Sequence, residues 1–170
     1  SFLYPKIKVN LVEANSKSLV EMMLDEKVDV IVDSFDENMD EYVGHRLKNE
    51  QIFLCVPKEF KINDALKEYQ ILPHQIYENS VNLEDVPPVD IKTFRKEPFI
   101  LLKNGNDMFY RAQGIFEKAK IIPKVLLWVD QMNISYSLCD SGMGCCFLTD
   151  TLFKFGKFSD SVILYKVEKR

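Results

Sequence analysis

Four cysteines and two histidines are the residues of this 170-residue chain best suited to ligate a metal or attack a substrate. The cysteines stand at 55, 139, 145 and 146, the histidines at 45 and 74. No two cysteines form Cys-x-x-Cys, and neither histidine lies near them in sequence, so the spacing yields no metal site. Cys55, Cys145 and Cys146 fall within apolar runs, where a free thiol behaves as a small hydrophobe. Reduced core thiols in a cytoplasmic protein are therefore expected. Cys139 and Cys145 lie six positions apart, but a redox switch needs an accessible thiol of low pKa beside a partner, and packing is the preferred reading. His45 and His74 read as surface or capping residues. Gly-x-Ser-x-Gly, His-Glu-x-x-His and a glycine-rich phosphate loop are all missing from the sequence, and no pair of acids is singled out by spacing. The expectation is a protein that is not an enzyme and takes no cofactor.

Two polar corners suit a ligand better. Lys103-Asn104-Gly105-Asn106-Asp107 follows the apolar run Phe99–Leu102, and Asp130-Gln131-Met132-Asn133 follows Val125–Val129. Each opens a helical stretch. A helix N-terminus offers free N–H groups and a positive dipole end, and Lys103 adds charge, so Lys103, Asn104, Gly105 and Asp107 would suit an anionic group. Asp107 would repel a carboxylate, which keeps a polar neutral or cationic ligand open, and a plain helix cap is an equal reading for Asn and Asp. Gln131, Met132 and Asn133 are read as facing a cleft, with Asp130 as a simple N-cap the alternative.

These corners need strands and helices to hold them. Residues 125–148 read as strand, helix, the Gly142-x-Gly144 stop and a second strand, a βαβ unit that implies a parallel sheet with ligands beyond its carboxyl ends. Gly142 is expected in the left-handed conformation that ends a helix. Residues 7–12 alternate as a strand, Asn15 and Ser16 can cap a helix with the stripe Leu19, Val20, Met23 and Leu24, and Val28–Val32 reads as a strand buried on both faces. Ile52–Val56 is a strand stopped by Pro57. Phe109, Ala112, Phe116 and Ala119 mark a second helical face, Trp128 is expected in the core, and Val162–Tyr165 is a last strand, free to return to the first half.

Bulk properties fit this picture. Apolar residues make up 46% and aromatics 12%, as in a globular fold. A net charge of −4, from 22 basic and 26 acidic residues, argues against gripping nucleic-acid phosphates over a broad face. No stretch approaches the roughly 20 apolar residues of a membrane helix.

The ordered set of segments resembles the effector-binding domain of LysR-type transcriptional regulators. The matching residues are Phe2-Leu3-Tyr4-Pro5 before a strand, Glu13-Ala14-Asn15-Ser16 before a helix, and Val28-Asp29-Val30-Ile31-Val32. They continue with Phe53-Leu54-Cys55-Val56-Pro57, Glu97-Pro98-Phe99-Ile100, and Leu138 through Gly142-Met143-Gly144 to Leu148. Thr149 stands where the family usually has Pro.

The resemblance implies an α/β fold of two Rossmann-like lobes with a cleft between them, of the periplasmic-binding-protein type II kind. Residues 1–98 with 161–170 would form lobe I and 99–160 lobe II. It also implies that a strand and helix before Tyr4-Pro5 are missing, as is the winged helix-turn-helix that reaches DNA. The start without Met likewise reads as the middle of something longer.

The implied function is effector binding and dimerisation in a cytoplasmic regulator that senses a small metabolite and controls transcription allosterically. The partners would be a small-molecule effector, DNA through a domain outside this chain, and a second copy, as homodimer or as a tetramer of full-length chains. By the same analogy Asp33, Ser34, Phe35 and Phe147 join the effector set. Leu19, Val20, Met23 and Leu24 of one subunit would pack on Phe109, Ala112, Phe116 and Ala119 of the other. The alternative on the same scaffold is an extracytoplasmic solute-binding protein of a transporter.

Overall fold

The computed structural model describes residues 4–34, 42–156 and 158–167, without the side chain of Phe155. Its elements are α1 (Ser16–Leu24), β1 (Ile52–Pro57), α2 (Pro73–Tyr77), β2 (Pro98–Leu102), α3 (Asp107–Ala119), β3 (Lys124–Val129), α4 (Met132–Asp140), β4 (Cys146–Thr149), α5 (Asp150–Phe155) and β5 (Val162–Lys166). Short 3₁₀ turns fill much of the stretch between β1 and β2.

The parallel pair is β2 with β3, connected through α3. Such a pair needs a crossover, and the 13-residue α3 supplies it. The unit expected over 125–148 takes a different form. β3 and β4 are not neighbours: Cys145 makes a single parallel bridge to Phe99 of β2, and the chain then enters β4, which runs antiparallel to β1. Gly144 permits this close approach, since a Cβ there would lie 2.8 Å from the Pro98 carbonyl oxygen. β5 returns to the other edge of β1, also antiparallel, giving the order β4-β1-β5. The chain segments assigned to the two lobes thus share one three-stranded sheet.

Two buried clusters line the faces of these strands. One gathers Leu54, Phe94, Phe99, Phe116, Phe147 and Tyr165, the other Phe53, Ile71, Ile100, Leu148, Phe153 and Leu164. β1 feeds both by alternation, as a strand covered on both faces must.

Residues 4–34 differ from expectation. α1 forms where predicted, and Asn15 caps it by accepting a hydrogen bond from the Ser18 N–H at 2.9 Å. The flanking segments 7–12 and 28–32 form no ladder among the described residues: Val9, Leu11, Val30 and Val32 are 72–94% exposed. Alternation supplies a strand with an apolar face, but a strand exists only when another backbone pairs with it.

Trp128 also departs from expectation. It is 44% exposed on β3, which pairs with β2 alone among the described residues, and its ring meets that of Phe109 with centroids 5.8 Å apart. Gly142 adopts φ +84° after α4, as expected. His74 has a partner, its Nδ1 lying 2.9 Å from an Asp160 carboxylate oxygen.

Candidate functional site

β2, the bridge at Cys145 and β3 point the same way, so Leu102, Val129 and Thr149 end at one edge of the body. Ile52 starts β1 opposite Thr149, which brings residues 48–51 to that same edge. The loops 103–107, 130–132 and 149–151 therefore gather beyond the carboxyl ends of the parallel strands, the position in which α/β sheets bind ligands.

The N-terminal unit meets the body here. The Lys17 N–H donates to the Gly105 carbonyl at 3.4 Å. Gly105 has φ +99°, a conformation that turns the loop toward the Asn15 side chain and favours glycine. Ser34 Oγ donates to the Glu50 carboxylate at 3.2 Å. Arg111 Nη1 bonds Glu50 at 3.3 Å and Asp107 at 3.1 Å. Ser34, Glu50, Arg111 and Asp107 form one polar chain from the N-terminal unit to α3. Burial pushes the Asp107 carboxyl above its ordinary value; the Asp33 and Glu50 charges add to that rise, and Arg111 opposes it.

A second polar group closes the neighbouring corner. Lys103 Nζ pairs with Asp130 at 2.7 Å, and the Tyr110 hydroxyl donates to Asn104 Oδ1 at 2.7 Å. Asp130 serves this ion pair and does not cap α4; Gln131 holds the N-cap position without a side-chain bond. Beside it lies a cavity of about 360 Å³ lined by Met132, Thr149, Thr151, Leu152 and Gly156, within the size range of small-molecule sites. Lys48 reaches its rim, with Nζ 3.4 Å from Thr151 Oγ1 and 3.8 Å from the Asp150 carboxylate.

Of the residues expected to bind an effector, Asp33, Ser34, Lys103, Asn104, Gly105, Asp107, Gln131 and Met132 come to this edge. Asn133 is exposed, and its Oδ1 accepts from the Ile134 N–H. Phe35 lies outside the described residues. Phe147 is 2% exposed, with ring centroids 5.5 Å from Phe116 and 6.2 Å from Phe99, so its side chain belongs to the core.

Among the expected dimer residues, Leu19, Val20 and Met23 are half-buried and Leu24 is exposed on α1. Ala112 and Phe116 face the chain's own core, while Phe109 and Ala119 are half-buried. Sequence reading missed Glu50, Lys48, Thr149 and Thr151, whose approach is long-range. Arg111 had a local signal, four positions after Asp107 on one helix face.

The family model of the LysR substrate-binding domain matches residues 3–156. This chain belongs to that family. Solved structures similar to it agree in fold. They include the effector-binding domain of QuiR in complex with shikimate (14% identity, TM-score 0.65), of which the chain covers 64% while 92% of the chain is matched. The regulatory domain of Synechocystis PCC6803 CcmR in complex with 2-PG is 16% identical at TM-score 0.71, with 98% of this chain and 70% of that one covered. Full-length CbnR complexed with target DNA is 15% identical at TM-score 0.67, over 99% of this chain and 51% of its own. The chain thus spans under two thirds of the QuiR domain and about half of CbnR. No curated protein matches its sequence. No helix among the described residues is long and apolar enough to cross a membrane.

Proposed function

We propose that this chain is the effector-binding part of a LysR-type transcriptional regulator, and that a small polar metabolite binds at the edge where residues 4–34 meet the loops 103–107 and 130–132. The observation that carries this reading is the polar chain Ser34–Glu50–Arg111–Asp107, which joins two separate parts of the molecule beside an open cavity. A ligand touching both parts stabilises one relative placement over others, and differential affinity is all that a population shift needs.

The two parts that this proposal sets against each other are residues 4–34 and the body built on β1–β5. In the whole protein that placement sets the relation between subunits and so the spacing of DNA-binding heads. Relatives of this fold are complexed with shikimate, 2-PG and DNA, which supports regulation over transport. We assign the domain no reaction, place the regulator in the cytoplasm, and expect it to work as a homodimer. α1 and the exposed face of α3 around Phe109 are the surfaces offered to the partner.

The test is a thermal-shift and calorimetry panel of small hydroxy-acids, aromatic carboxylates and phosphorylated acids. A true effector at about 100 times its Kd adds roughly 2.7 kcal/mol. Arg111→Gln and Lys103→Gln should each weaken it. A ligand whose binding ignores both substitutions would refute this placement of the site.

A further inference from the structure

The sequence scatters its cysteines, but the fold collects three of them. Cys55 lies on β1, Cys146 opens β4 directly opposite it in register, and Cys139 comes down from α4. Their three Sγ atoms all lie within 4.8 Å of one another, with Cys139 Sγ donating to Cys55 Sγ at 3.7 Å and to the Cys55 carbonyl at 3.4 Å. All three are fully buried, and all are free thiols. Cys145, the adjacent residue, points into the other core cluster.

We propose that Cys55, Cys139 and Cys146 form a binding site for a trivalent thiophilic ion, of the class of arsenite or antimonite. Three convergent sulfurs are soft ligands and select soft acceptors. Net charge decides which one. The three thiols sit in a core cluster with Phe53, Ile76, Ile100, Leu148 and Phe153, and the carboxylate acting on Cys139 is that of Asp140. The buried Lys166 spends its ammonium on the carbonyls of Leu83 and Val86.

Three thiolates around a monovalent or divalent ion leave a net anion in this apolar wall, which is costly. Around a trivalent centre they leave a neutral complex. The reaction balances without an oxidant: arsenous acid exchanges its three hydroxyls for three thiols, three As–S bonds replace three As–O bonds, and three waters leave carrying the thiol protons.

All three thiols are shut away from solvent. Entry requires α4 to lift from the sheet, so loading is expected to be slow.

The test uses the reduced chain with sodium arsenite and a phosphine reductant. Native mass spectrometry should show a gain of one arsenic less three hydrogens, and X-ray absorption should count three sulfur neighbours. Cys145→Ser should load like the parent, and Cys139→Ser should lose the adduct while keeping its circular dichroism. Zinc offered alone should wash out. No adduct, fewer than three sulfur neighbours in the parent, loss of loading in Cys145→Ser, undiminished loading in a folded Cys139→Ser, or retention of zinc in place of arsenic would overturn the proposal. The absorption count on the parent stands even if the variants fail to fold.

Discussion

Asp150 gives the sharpest measurement of how the candidate edge is held. It is 1% exposed at the start of α5, accepts from the Gln51 N–H at 3.1 Å, and meets Lys154 at 3.0 Å and Lys48 at 3.8 Å. Burial would raise this carboxyl, but the Gln51 bond and the two lysines outweigh it and hold it below its ordinary value. Asp150→Asn keeps the shape and an acceptor for Gln51 but sets an amide donor against the ammonium groups. A hydrogen bond to a charged group contributes about 1.5–3 kcal/mol against about 1 for a neutral one.

Lys48 and Lys154 are 42% and 34% exposed, so solvent screens them and each pair adds only about 0.5 kcal/mol. The expected loss at pH 7 is about 2 kcal/mol, or roughly 4–8 °C in Tm for a domain of this size. The sign with pH follows from the depressed carboxyl: its stabilisation is present above the unfolded value of about 3.9 and is lost as pH falls through the lower folded value. Urea unfolding of parent and variant should therefore converge in acid. A deficit as large at pH 3 as at pH 7 would show that Asp150 acts through packing alone, and the electrostatic reasoning would fail.

Asp107 carries the opposite sign. Its raised carboxyl gives stability that is fully present below the unfolded value and lost as pH rises through the folded one, so Asp107→Asn should hold steady across that window where the parent declines in denaturant melts. Phe116→Ala, at 2% exposure, should cost about 3–5 kcal/mol, whereas Ile122→Ser, at 92% exposure, should cost under about 1 kcal/mol; equal losses by chemical denaturation would contradict the assigned core. Gly105→Ala forces a side chain into a left-handed backbone and should cost about 1 kcal/mol, with faster amide exchange at Lys17 reporting the weakened contact to α1.

The sequence by itself determined the local pieces. The cap at Asn15, the stop at Gly142, the strands at 52–57, 98–102 and 124–129 and the helical face of α3 all follow from patterns a few residues long, because capping, periodicity and turn chemistry act at that range. The ordered motifs also carried the family. Tertiary structure decided the pairings. The apolar patterns of residues 7–12 and 28–32 could not make strands without a partner backbone, and Trp128 stays half-exposed on β3 against the ring of Phe109. The opposition of Thr149 to Ile52, the Ser34–Glu50–Arg111 chain and the meeting of Cys55 with Cys139, 84 positions apart, depend on contacts between distant segments. Loop closure leaves no mark on the residues it joins, so only the folded chain reveals them.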